Sequence, residues 1–154
     1  MAEAITKLSN TMNVTDALSA VLADTYRLML KSQIYHWNVT GPLFHAVHEM
    51  TEEQYTDMFG AIDVLAERIR ALGKPATVTP ADLTAAQGMS EPDAGLTGEK
   101  MVKDLMADHE ILAQRMKDLI ENTESAGDAA TADIATERMA FHEKSAWMWR
   151  SLAA

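Results

Sequence analysis

Residues 73–98 read Gly73-Lys74-Pro75-Ala76-Thr77-Val78-Thr79-Pro80-Ala81-Asp82-Leu83-Thr84-Ala85-Ala86-Gln87-Gly88-Met89-Ser90-Glu91-Pro92-Asp93-Ala94-Gly95-Leu96-Thr97-Gly98. Four of the chain's seven glycines and three of its four prolines fall in this stretch. Neither residue sustains a helix interior, so the stretch reads as a long connection, with a short helix near Ala81–Gln87. On either side of it the apolar residues recur at helical spacing.

Upstream, Leu18, Val21, Leu22, Leu28 and Met29 mark a helix from about Thr15 to Val39, capped by Thr15 or Asn13. Gly41-Pro42 ends it, and Pro42 suits the first turn of a second helix running to Leu72 and stopped by Gly73-Lys74-Pro75. Downstream, Val102, Leu105, Met106, Leu112, Met116, Leu119 and Ile120 give a third helix over Gly98–Asn122. A short loop at Ser125-Ala126-Gly127-Asp128 leads to a fourth over Thr131–Leu152. Two helical hairpins joined by one long crossover make an all-α, ferritin-like four-helix bundle, not an up-down-up-down one. Residues 1–14 read as a short tail and 15–154 as one domain.

The chain has 154 residues, 47% of them hydrophobic, which suits one domain with a sizeable core. It has no cysteine, which excludes disulfides, thiolate metal sites and a cysteine nucleophile. The N-terminus MAEAITKLSN lacks a secretory pattern and no stretch is apolar enough to span a membrane, so the expected setting is cytoplasmic. A net charge of −10 argues against a surface built to hold nucleic acid.

The second helix carries a constellation. With Val47 at zero on a helical wheel, its core stripe (Val47, Met50, Met58, Ala61, Leu65, Ile69, Leu72) clusters within about 60°. His48, Glu52, Asp63 and Glu67 fall at about 100°, 140°, 160° and 200°, away from that core. The pairs His48/Glu52 and Asp63/Glu67 are each one helical turn apart, and imidazole with carboxylate suits iron or another divalent first-row metal. His48 and Asp63 stand about 22 Å apart along the axis, so one chain cannot bring both to one ion. A second, antiparallel copy removes the difficulty, because 48 and 67 share a midpoint with 52 and 63. His48 then faces Glu67 of the copy and Glu52 faces its Asp63, giving two identical sites per isologous pair. Tyr55, Phe59, Ile62 and Ala66 form a second apolar stripe between the sites, expected to seal the contact rather than serve the subunit core. His36, just before the Gly-Pro turn, is the natural fifth ligand, with Trp37 beside it as a wall. The rival reading of these charges is an ordinary solvated helix face.

The run His36-Trp37-Asn38-Val39-Thr40-Gly41-Pro42-Leu43-Phe44-His45-Ala46-Val47-His48-Glu49-Met50 resembles the signature of the Dps family (DNA-binding proteins from starved cells). Asp63-Val64-Leu65-Ala66-Glu67-Arg68 is similar to its second half, and His142-Glu143-Lys144-Ser145-Ala146-Trp147-Met148 to the family's last helix. The resemblance implies a hollow homododecamer that oxidises Fe(II) to Fe(III) at inter-subunit ferroxidase sites, two irons per site, and keeps the ferric mineral inside. Hydrogen peroxide would be the favoured oxidant over dioxygen, protecting against oxidative damage, and zinc a possible substitute metal. His36, His48, Asp63 and Glu67 match the family's ligands, and Glu52 stands where many members carry Asp. Family members that bind DNA use a Lys-rich tail; residues 1–14 hold only Lys7, so DNA binding is expected to be weak or absent. The alternative is a nucleoid-associated DNA binder with secondary metal binding. A di-iron centre inside one bundle needs Glu-x-x-His, which the chain lacks.

Secondary expectations follow. Glu49 and Glu53, with Glu52, form an acidic cluster able to nucleate mineral, or simply a solvated helix start. Glu124, Asp128 and Asp133 would, by resemblance, line a cation pore at a three-fold axis; helix capping by Asp128 is the rival. His45 reads as a surface or interface residue and His109 as a satisfied core histidine, with His142 alike. The 11 methionines read as packing, and Trp147 and Trp149 as core or interface anchors.

Overall fold

Asn13 opens the first helix. Its side chain accepts from the Asp16 backbone N–H, satisfying one of the donors a helix start leaves free, and α1 runs Val14–Asn38. The computed structural model describes residues 13–84 and 88–154, and its remaining helices are α2 (Phe44–Ala71), α3 (Pro80–Thr84), α4 (Gly98–Ala126) and α5 (Ala129–Ala153). The expected 1–14 tail lies mostly outside the described residues, and the part of the short helix expected at 85–87 does too. None of the helices is long and apolar enough to cross a membrane.

Three boundaries differ by two residues or more from the sequence reading, α5 beginning at Ala129 instead of Thr131. Pro42 lies in the turn, not in α2: Gly41 takes φ +86°, a value that favours glycine, and the Phe44 N–H closes the turn on the Gly41 oxygen at 3.0 Å. Helix α4 outruns its expected end by one turn, because Ser125 and Ala126 tolerate the helix and only Gly127, left-handed at φ +67°, stops it. There the Asp128 N–H reaches back to the Thr123 oxygen and the Gly127 N–H to that of Glu124. Asp128 then caps α5.

Helix α1 packs chiefly on α2 and α4 on α5, and α1 against α4 joins the two hairpins. The apolar core falls into two groups. One surrounds Leu28, Tyr35, Val47, Met58, Leu105 and Trp149; the other surrounds Leu18, Leu22, Leu65, Ile69, Met116 and Ala135. A polar layer crosses the bundle. Lys31 lies 2.6 Å from Asp108 and 3.1 Å from Asp104, Arg115 pairs with Asp24, and Trp149 donates to Gln54 at 2.8 Å. Burial pushes the Asp108 carboxyl up to about 6 despite Lys31. Arg27 (to Leu83 and Met89 oxygens) and Lys31 (to Ser90) tie the crossover to α1.

Candidate metal centre

The turn between α1 and α2 lays His36 against His48. Their rings stack with centroids 3.7 Å apart and planes 11° from parallel. His36 Nδ1 donates to the His48 backbone oxygen at 2.7 Å, and His48 Nδ1 donates to the His36 backbone oxygen at the same distance. A carbonyl only accepts, so both rings carry their proton on Nδ1. Each Nε2 keeps its lone pair, the form that ligates a first-row metal. Phe44 stacks on His48 at 5.0 Å and Tyr55 meets His36 edge-on at 5.3 Å. His36 is buried, His48 half-buried, and Thr51 wholly buried beside them.

Glu52 is exposed one turn beyond His48, and Asp63 and Glu67 are exposed further along α2. The chain thus unites His36 with His48 and keeps the Asp63/Glu67 pair further along α2. Among the described residues, no three His, Asp or Glu side chains converge to hold a metal within one chain.

The stripe between the pairs differs from expectation. Phe59 is 72% exposed, but Tyr55, Ile62 and Ala66 are half-buried against the subunit's own core groups. These three serve the subunit as well as any contact beyond it, because the α1–α2 packing wraps further round the helix than a narrow stripe assumes. Gly60, in the middle of α2, has open space where a Cβ would stand. Trp37 is 64% exposed.

Glu49 and Glu53 are exposed on α2. Glu124, Asp128 and Asp133 border one surface hollow of about 420 Å³. Asp128 is engaged there: it accepts from the Thr131 N–H at 3.0 Å and hydroxyl at 2.5 Å, and from Arg68 at 2.9 Å. Burial raises its carboxyl, but the Thr131 hydrogen bonds and the Arg68 charge outweigh that and hold it below its ordinary value. His45 is exposed.

His109 is a core histidine but only half satisfied. Its Nδ1 lies 2.9 Å from His142 Nδ1, one donating to the other, while the Nε2 of each, wholly buried, meets no partner among the described residues. Each ring spends its Nδ1 on the other. Trp149 is buried as an anchor, whereas Trp147 is 57% exposed.

Thr51, Phe44 and the charged layer were not picked out from sequence as parts of the site or core. Thr51 carried a signal: it is a hydroxyl residue within the core stripe, between Val47 and Met58, one turn from His48.

Several known proteins share this architecture. The family model for the ferritin-like domain matches residues 15–154. The chain is similar to the DNA protection during starvation protein 2 of Bacillus anthracis, 34% identical over 90% of this chain and 94% of the relative. Among solved structures, the Dps protein of Bacillus brevis superposes with a TM-score of 0.86 at 33% identity, covering 92% of this chain and 95% of the other. The Dps protein of Vibrio cholerae, described as a member of a broad superfamily of ferritin-like diiron-carboxylate proteins, gives 0.85 at 28%, covering 92% and 89%. With a ferritin-like match over nearly all its length and Dps relatives in both sequence and fold, the chain belongs to the Dps family.

Proposed function

We propose that this protein oxidises Fe(II) at sites shared between two antiparallel copies and stores the ferric product within a hollow shell of twelve subunits in the cytoplasm. Iron is substrate and cargo. His36, His48 and Glu52 of one copy would hold it together with Asp63 and Glu67 of a second copy. One observation carries the reading: the reciprocal His36–His48 hydrogen bonds leave two metal-ready nitrogens at one end of α2, while two carboxylates stand exposed towards its other end. Phe59 supports it as an exposed apolar residue close to the midpoint of the two pairs. So does Gly60, since glycine inside a helix costs about 1 kcal/mol relative to alanine, and close approach of a second helix would offset that. The diiron-carboxylate description of the Vibrio cholerae relative makes iron the favoured ion.

In this chemistry two Fe(II) ions, one hydrogen peroxide and two waters give two FeO(OH) and four protons. The O–O bond breaks and both oxygens are reduced by one electron from each iron, so no hydroxyl radical leaves. Peroxide is the preferred oxidant, with dioxygen the slower one. The protein contributes position and charge: imidazole and carboxylate together hold Fe(II) and tolerate Fe(III), leaving coordination positions for the oxidant. Glu49 and Glu53 would seed mineral, and Glu124, Asp128 and Asp133 would admit cations. Zinc, sharing the ligand chemistry, would occupy the sites and inhibit. Direct DNA binding would be weak, given the net charge of −10.

The decisive experiment combines sedimentation mass with anaerobic Fe(II) titration followed by peroxide. A dodecamer that binds two irons per site and oxidises them faster than buffer is expected. A monomer, or oxidation at the buffer rate, would overturn the reading.

A further inference from the structure

We infer that Thr51 is a positioning residue for the metal centre: its hydroxyl holds the direction of the His36 ring, whose tautomer the His48 carbonyl already sets. The inference rests on His36 being a metal ligand, as proposed above. Thr51 is wholly buried in α2. Its Oγ1 lies 2.6 Å from the Val47 oxygen, 3.1 Å from the His48 oxygen and 3.3 Å from His36 Nδ1. A hydroxyl has one proton, and the shortest contact, to Val47, takes it. The lone pairs then face the His36 Nδ1–H, which sits between two acceptors, the His48 oxygen at 2.7 Å and Thr51 Oγ1. A ring protonated on Nε2 would instead set its bare Nδ1 against the His48 carbonyl, which cannot donate; the Thr51 oxygen, as a second acceptor, narrows the directions in which the Nδ1–H can point. The Nε2 lone pair is thereby reserved for metal before any metal arrives.

Helix stability does not explain the residue. Threonine is a mediocre helix former, and its bond to the carbonyl one turn back slightly weakens a helix. Valine would fill the same volume within the apolar stripe. What valine lacks is the oxygen beside His36.

The test uses the full-length assembled protein as wild type, Thr51→Val and Thr51→Ser. Co(II) serves as a redox-inert probe read by its visible spectrum, and ¹⁵N imidazole spectra of the metal-free protein read the tautomer. Thr51→Val is expected to weaken Co(II) binding by about 10- to 100-fold, the usual cost of losing a group that orients a ligand. Half-saturating Fe(II) should rise comparably, with the saturated rate changing less than about 3-fold, as lost binding rather than lost chemistry requires. Thr51→Ser restores the oxygen and should restore both. All three proteins should show His36 protonated on Nδ1, because the His48 oxygen remains, with the Nδ1 resonance of Thr51→Val shifted from that of wild type and Thr51→Ser by loss of the second acceptor. Unchanged Co(II) affinity in Thr51→Val, or a serine variant that behaves like valine, would overturn the inference. So would a wild-type His36 protonated on Nε2, a result that needs no variant to fold. If wild type binds no Co(II) and oxidises no iron, the iron reading fails, while the spectra still decide what Thr51 does.

Discussion

Asp63 and His36 are two ligand candidates with opposite settings, one exposed and one buried, and they separate function from folding. Asp63→Ala removes an exposed carboxylate, so the unfolding free energy of the subunit should shift by no more than about 0.5 kcal/mol. Fast Fe(II) oxidation by peroxide should fall about 100-fold or more, because the proposed site would then lack one of its carboxylates. Thermal melting and stopped-flow absorbance check the two halves; a rate equal to wild type would remove Asp63 from the site. The exposed carboxylates were legible in sequence because an outward-facing pair one turn apart can be read from spacing alone. The companions of His36 were not. Stacking on His48, the edge of Tyr55 and the Thr51 hydroxyl depend on how the Val39–Leu43 turn folds back, and a wheel drawn for one helix carries no such information. His109 shows the same limit: its place in the apolar stripe was readable, but its partner lies on another helix, so whether both nitrogens were satisfied was not.

The seam between α4 and α5 has its own pH dependence. His109 and His142 are wholly buried, and burial holds both imidazoles below their ordinary value, His109 down to about 3, with the Arg138 charge adding to the effect. The unfolded chain takes up these protons near pH 6.5 and the folded chain does not. Stability is therefore full above that pH and declines as pH falls towards 3, by up to about 2.7 kcal/mol per pH unit for two protons. Asp108 acts in the opposite sense, being easier to protonate when folded, but it is one group against two. Replacing both histidines (His109→Leu with His142→Leu) removes the pair together, so no new orphan is left in the core. Between pH 6.5 and 5, urea titrations should show wild type losing about 3 kcal/mol more than the double variant. Parallel pH profiles would show that the acid response lies elsewhere. At this scale the helices were legible and their ends were not. The clustered glycines and prolines of 73–98 announced the crossover. Whether a turn belongs to α2 or α4 was decided by the φ angles of Gly41 and Gly127. The ion pairs of α1 with α4 join residues about 70 to 90 positions apart, beyond any local pattern, although Asp108 sat visibly between Leu105 and Leu112.

For the molecule as a whole, the bundle has two apolar groups, one at each end of the long helices, so a change at the middle of α2's outer face leaves both intact. Gly60→Leu places a side chain in space that is open within the chain. The subunit should keep its helical circular dichroism, while sedimentation should show the assembly broken down and peroxide-driven oxidation lost with it. An assembly of unchanged mass in Gly60→Leu would show that α2 does not meet a copy of itself there. The separation of the two ligand pairs along α2 has one more consequence. On the proposed arrangement, a subunit just released from the ribosome, or parted from its copies, would hold half a set at each end and a complete set at neither. Iron chemistry would then be governed by quorum: at dilutions where copies part, the activity per chain vanishes instead of merely weakening. Stray subunits would be chemically silent, and no separate inhibitor would be needed to keep them so.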